Sequence, residues 1–146
     1  MRRNQRGFTL VELLLSMMII VVVSGLSIPL YESFNRRNDL DITAQTVASA
    51  MRRAQAYSRA PSNDAAWGIK LQSNNIVIFQ GTSYAARNAT YDETINLPGS
   101  ITGSGLTEIA FGKLSGAASA TGTYNLTSTT NSTKAISVNA KGTIDY

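Results

Sequence analysis

The sequence predicts an α+β fold, in which a long N-terminal α-helix, first apolar and then amphipathic, packs on a C-terminal, mostly antiparallel β-sheet or sandwich. Three observations lead there. Phe8 to Leu30 is an apolar run of 23 residues with a single charge; residues 31–60 keep a helical spacing of apolar positions; and from Pro61 onward short alternating runs are separated by turn-forming clusters. A chain of 146 residues holds one ordinary domain, or a small domain with an attachment segment. The absence of cysteine and histidine excludes disulfides, thiolate and imidazole metal sites, cysteine nucleophiles and histidine triads. We therefore expect no enzyme, no catalytic residue, no cofactor and no metal.

The net charge of +4 is unevenly spread. Arg2, Arg3 and Arg6 precede the apolar run, Glu12 is its one charge, and residues 31–60 set five arginines against Glu32, Asp39 and Asp41. From Pro61 onward five basic residues balance five acidic ones. That half has no run of basic residues of the kind a phosphate backbone requires.

As a helix, Phe8–Leu30 would measure roughly 35 Å, enough for a hydrocarbon core of about 30 Å. The arginine-rich leader would stay in the cytoplasm, placing residues 31–146 outside. A plain signal-anchor helix fits this pattern. So does a secretory signal cleaved near Val23-Ser24-Gly25. Both leave Glu12 unexplained, because a carboxylate within a membrane helix costs about 2.5–3.5 kcal/mol at the centre and less near an end. Four residues past Phe8, Glu12 is also close enough to an end to reach the interface.

A third account comes from the junction Arg6-Gly7-Phe8-Thr9-Leu10-Val11-Glu12-Leu13-Leu14. It resembles the class III leader of type IV pilins and type II secretion pseudopilins, with a short basic leader, Gly then Phe, Glu at the fifth position after the junction, an unbroken apolar run, and Pro29 where such pilins often carry a helix-weakening proline. The resemblance implies cleavage by prepilin peptidase between Gly7 and Phe8, N-methylation of Phe8, and an assembly role for Glu12 opposite the Phe8 ammonium of a neighbouring subunit. It further implies membrane lipid as the surroundings before assembly, an inner-membrane assembly platform, and identical or related pilin subunits as partners in a filament at the cell envelope or surface. The chemistry is consistent with the residues. Gly7 has no side chain to obstruct a protease, and cleavage removes the three arginines that hold the N-terminus in the cytoplasm. A buried ion pair specifies register more than it adds stability, because a wrong stagger leaves both charges unmatched.

Beyond Pro29, where we expect a kink, helical character continues to Ala60 and stops at Pro61. Leu40, Ala44, Val47, Met51 and Ala54 form a narrow apolar stripe, expected to pack on the chain's own C-terminal part. A continuous helix from Phe8 to Ala60 would extend roughly 80 Å, more than the C-terminal part can cover. The expected segments are therefore a leader (1–7), a transmembrane and assembly helix (8–30), an amphipathic continuation (31–60) and a β-rich head (61–146).

Within the head we expect strands at Trp67–Gln72, Ile76–Gln80, Thr94–Leu97, Thr107–Gly112, Thr123–Thr127, Lys134–Asn139 and Thr143–Tyr146, with turns at Ser73-Asn74-Asn75, Pro98-Gly99 and Lys141-Gly142. This order resembles the head of the H-type minor pseudopilins of type II secretion and the FimT-like minor pilins, through a helix segment around Ala48–Ala54, a Trp-led first strand and a last strand of the form I-S-V-N-x-x-G. FimT-like competence pilins carry arginines after that glycine. Here Thr143-Ile144-Asp145 follow Gly142, which disfavours DNA within the alternative reading, a minor competence or adhesion pilin whose head binds extracellular DNA or a surface. Asp92-Glu93 reads as a solvated loop rather than a calcium or catalytic pair, Trp67 as core rather than a stacking platform, and Gly116–Gly122 as a flexible loop. Glycosylation sequons at Asn88, Asn125 and Asn131 are expected by chance in a head with 30 Ser, Thr and Asn among 86 residues.

Overall fold

The computed structural model describes residues 7–61 and 64–146; for residues 26–37, inside the helix, only the helical assignment is described. Leader residues 1–6 and the kink expected at Pro29 thus lie outside the described residues. The fold is α+β, an N-terminal helix with a C-terminal antiparallel β region. Helix α1 runs Leu10–Arg59. The chain forms two compact units, Met1–Asn35 and Arg36–Tyr146, dividing within α1. The helix ends where proline can no longer supply an N–H: Ala60 donates back to the carbonyls of Ala56 and Tyr57 at 3.1 and 3.3 Å, and Pro61 follows.

Among the described residues of the second unit, eight strands form two four-stranded sheets. The strands are β1 (Trp67–Leu71), β2 (Asn75–Gln80), β3 (Asn88–Asn96), β4 (Ile101–Gly105), β5 (Glu108–Phe111), β6 (Gly122–Ser128), β7 (Thr133–Val138) and β8 (Ile144–Asp145). The first sheet has the order β3-β2-β1-β5 and the second β4-β6-β7-β8, with all pairings antiparallel. Period-two alternation explains which side chains go inward. Trp67, Ile69 and Leu71 share one face of β1, in register with Ile78 and Ile109 at Ile69, and Tyr124 and Leu126 do the same on β6.

These inward faces meet the apolar stripe of α1. Leu40, Ala44, Val47, Met51 and Ala54 are all buried and belong to one cluster with Trp67, Ile69, Ile78, Phe111, Tyr124 and Ile136. Ala48 and Ala50 are buried beside them. Ala44, Ala48, Ala50 and Ala54 give this buried face small side chains. Trp67 is core, as expected, at 7% exposure, with Tyr57 at 4.8 Å and Tyr91 at 6.1 Å between ring centroids.

Three expectations for the head are corrected. First, β3 begins at Asn88, six residues before the expected Thr94, so Asp92 and Glu93 lie on a strand rather than in a solvated loop. As the sheet's outer edge, β3 is largely exposed and shows no apolar alternation to read. It is held by its pairing with β2 and by two ion pairs, Arg87–Asp92 at 2.7 Å and Arg53–Glu93 at 2.6 Å. The Asp92 hydrogen bond raises the pKa of Arg87 above its ordinary value. Second, Ile101–Gly105 forms a strand, β4, where none was expected. Third, the Gly116–Gly122 segment is tied down. Ala118 bridges Phe111 and donates to the Ala140 carbonyl at 3.2 Å, and Ser119 donates to Ala110 at 2.8 Å.

The reason for β4's glycines is tertiary. A Cβ at Gly103 would collide with the ring and hydroxyl of Tyr124, which passes over it to donate to the Gln72 carbonyl at 2.6 Å. Gly103 itself donates to Ser73 at 3.0 Å, and Leu97 to Asn74 at 2.8 Å. The turn after β1 is thus where the second sheet is fastened to the first.

Burial raises the Tyr124 pKa from 10.0 to about 12. Between those values the unfolded chain ionises this phenol while the folded chain keeps its proton. Its contribution to stability is therefore complete below pH 10 and falls as pH rises toward 12. In urea denaturation followed by the fluorescence of the single tryptophan, Tyr124→Phe is expected to lose about 1 kcal/mol at neutral pH and to lack this alkaline component. Gly103→Ala is expected to cost about 1–3 kcal/mol through the collision.

Candidate processing and assembly site

Gly7, Phe8 and Thr9 precede the helix and are exposed. Among the described residues nothing lies within 4 Å of where a Cβ on Gly7 would sit, so no contact described there calls for glycine. Phe8 is 84% exposed. The Gly7–Phe8 peptide bond is thus an open, non-helical bond immediately before the first turn.

Thr9 explains where the helix starts. Its carbonyl accepts from Leu13 N at 3.1 Å, and its Oγ1 accepts from Glu12 N at 3.3 Å, satisfying one of the donors that a helix N-terminus leaves open. Thr9 and Glu12 stand in the Thr-x-x-Glu spacing of a capping box, and an acidic side chain in the first turn is favoured by the helix dipole by about 0.3–1 kcal/mol. Glu12 thus has a local place in starting the helix, quite apart from any role between subunits. This Thr9 cap was readable in the sequence from that spacing.

After Glu12 the described side chains are apolar on every side of the helix: Leu13, Leu14, Leu15, Met17, Met18, Ile19, Ile20, Val21 and Val22 are all exposed. Ser16 removes its own polarity by donating to the Glu12 carbonyl at 2.7 Å. Among the described residues, which for side chains reach Gly25 in this stretch, no helix is long and apolar enough to cross a membrane.

In the head, the candidate residues weighed in the sequence are not gathered into one site. Asp92 and Glu93 face separate arginines, and among the described residues no group of three or more acidic side chains is placed to hold a metal ion. Asn88, Asn125 and Asn131 are exposed on β3, on β6 and in the turn after β6. One constellation was missed. Arg52 and Arg59 on α1 converge with Lys141 on a cleft of about 310 Å³ that also exposes Gln55, Gly142, Thr143 and Ile144. The 52, 55, 59 spacing marks one helix face, but nothing local in the sequence ties it to Lys141.

Removal of the Thr9 cap is expected to loosen the first turn alone. In Thr9→Ala, amide exchange at Glu12 should accelerate about fivefold, equivalent to about 1 kcal/mol, with exchange in the head unchanged. Comparison with known proteins bears on this same end of the chain. Residues 2–28 match the family described as prokaryotic N-terminal methylation motif. No curated protein and no solved structure matches the chain. The chain carries a prepilin-type leader, which implies processing by prepilin peptidase and assembly with other pilin subunits.

Proposed function

We propose that the chain is a structural subunit of a type IV pilus or a type II secretion pseudopilus, without enzymatic activity of its own. It is cleaved between Gly7 and Phe8, N-methylated at Phe8, and assembled through its N-terminal helix. The observation that carries this reading is the methylation motif over residues 2–28, combined with an open peptide bond at Gly7–Phe8 that lies just outside the helix. The open space around Gly7 among the described residues supports a requirement imposed from outside, by a protease that a bulky residue would obstruct.

Before assembly, residues 8–30 hold the subunit in the cytoplasmic membrane with the head outside. Support comes from the length of the apolar run, its one charge and the preceding arginines. Residues 31–60 continue the helix, and residues 61–146 are the head. After cleavage the helix leaves lipid for the filament core, where Glu12 meets the ammonium of a neighbour's Phe8. In a low-dielectric core that match is favourable at one axial stagger, and other staggers leave two charges without partners. Pro29 weakens the helix past the membrane-facing half. Extension and retraction draw on separate ATPases and the inner-membrane platform, since this sequence has no phosphate-binding glycine loop with its lysine.

The head's Trp-led first strand and the I-S-V-N-x-x-G run that begins on β7 support a minor subunit of the H-type or FimT-like kind. The alternative, a competence or adhesion pilin whose head binds DNA, is disfavoured by the charge pattern. Lys70, Arg53, Arg87, Lys113 and Lys134 are each ion-paired with a carboxylate.

Two variants test the reading in cells that assemble the filament. Gly7→Leu should accumulate at the unprocessed size with a head as stable as that of wild type. Glu12→Ala should be membrane-inserted and processed, yet absent from sheared filaments. Normal incorporation of Glu12→Ala removes the assembly role of this carboxylate.

A further inference from the structure

The ion pairs of the head leave a remainder. Asp41, Asp64, Asp92, Glu93 and Glu108 each pair with one lysine or arginine, at distances of 2.5–3.4 Å. Among the described residues of this unit, the basic side chains outside those pairs are Arg52, Arg59 and Lys141, and all three line the cleft beside β8. No carboxylate contributes to its lining. Asp39 and Asp145 also stand outside those pairs, but neither lines the cleft, so the unpaired cations described in this unit gather in one place.

The cleft is also built. Gln55 spends both of its amide hydrogens on the carbonyls of Gly116 and Gly142, at 2.8 and 3.0 Å, which clamps two loops against the helix. Gly142 has φ 79° and Gly116 φ 65°. A Cβ on Gly142 would strike Gln55, and one on Gly116 would strike the stem and Nε of Arg59. Arg59 is therefore laid across Gly116 with its guanidinium at the rim. Arg52 donates to the Ile144 carbonyl at 3.2 Å and stands 5.2 Å from the centre of the Tyr146 ring. Asn139 fixes the turn that carries Lys141, accepting through Oδ1 from Lys141 N at 3.0 Å and from Thr143 N at 2.9 Å. Two of the three cations are thus held by their surroundings and the third is carried on a fixed turn, while all three side chains are exposed.

We propose that this cleft is a docking site for an acidic segment of a partner protein, whose carboxylates are taken by Arg52, Arg59 and Lys141. Charge complementarity selects this occupant. Arg52 and Arg59 lie about two helical turns apart, about 10 Å along the axis, and alternate residues of an extended acidic segment put carboxylates on one face about every 7 Å, within reach of both long side chains. A nucleic-acid backbone would call for further free cations along its path, and the neighbouring ones are already paired. Arginine forks take carboxylates in two parallel bonds, which gives the contact direction as well as charge. The site belongs to the head and does not depend on how the N-terminal helix assembles.

The test uses the full chain in non-ionic detergent, with fluorescein-labelled hexaglutamate as the probe, read by anisotropy at low salt. A thymidine oligonucleotide with six phosphates serves as competitor. Saturable binding of hexaglutamate is expected, weakened at least about tenfold in Arg52→Gln/Arg59→Gln. Lys113→Gln, which removes a cation outside the cleft, should change it less than about twofold. Unchanged tryptophan fluorescence in denaturant shows that the double variant is folded. Absence of saturable binding overturns the proposal, as does an equal loss in Lys113→Gln, which would mark a general charge effect. Displacement by the oligonucleotide at lower concentration than by unlabelled hexaglutamate also overturns it, in favour of a phosphate-bearing ligand. Filament assembly plays no part in any of these readouts, so their failure leaves the assembly reading standing.

Discussion

A helix surface that is apolar all round has to be covered, and along Leu10–Val22 the chain leaves such side chains exposed. The exposed leucine, isoleucine, methionine and valine side chains there would be costly in water at about 25 cal/mol per Å². Only two surroundings remove that cost, lipid tails or other helices of the same kind. Glu12 is the one residue in this stretch that lipid does not suit. Its place in the first turn, next to the Thr9 cap and five positions from the Gly7–Phe8 bond, ties the need for cover to the chemistry that creates a new N-terminus. The same short segment starts the helix and, in the proposed reading, marks the bond to be cut and supplies the charge that fixes register.

The two parts of α1 solve different problems. From Leu40 to Ala54 the apolar residues form one stripe, and they are buried in a core with both sheets. That stripe is specific to this head. The earlier part presents large aliphatic side chains in all directions and nothing shaped to a single neighbour. A surface of that kind accommodates lipid and helices alike, so specificity in assembly has to come from elsewhere. In the proposed reading the Glu12 carboxylate supplies it at the helix start, and the cleft beside β8 is the proposed second point of recognition, on the head.

Much of the architecture was visible in the sequence wherever one residue type has one physical reason to be where it is. Trp67, Ile69 and Leu71 alternate because one face of β1 meets the core, and the Leu40–Ala54 stripe repeats at three and four because one helix face does. The features that escaped depend on contacts distant in the chain. β4 contains Gly103 and Gly105, which weaken any strand signal, and Gly103 is glycine because Tyr124 crosses it. β3 is an exposed edge whose polar residues are chosen for solvent and for Arg53 and Arg87. Gly116 belongs to a pinned loop because Arg59 and Gln55 rest against it. The cleft joins α1 to the last turn across more than 80 positions of sequence, which no local pattern reports. At the N-terminus the reverse holds: motif and structure are local there, and Gly7, Phe8, Thr9 and Glu12 can all be read in order.

The central claim is that the peptide bond after Gly7 is cut and that the new terminus is the cation awaited by Glu12. Determining the N-terminal residue of the protein recovered from filaments or membranes, with its mass, tests this most directly. The account predicts a chain that starts at Phe8 and carries one methyl group on its α-amine. A chain that still begins at Met1, or one that begins near Leu26, would contradict it.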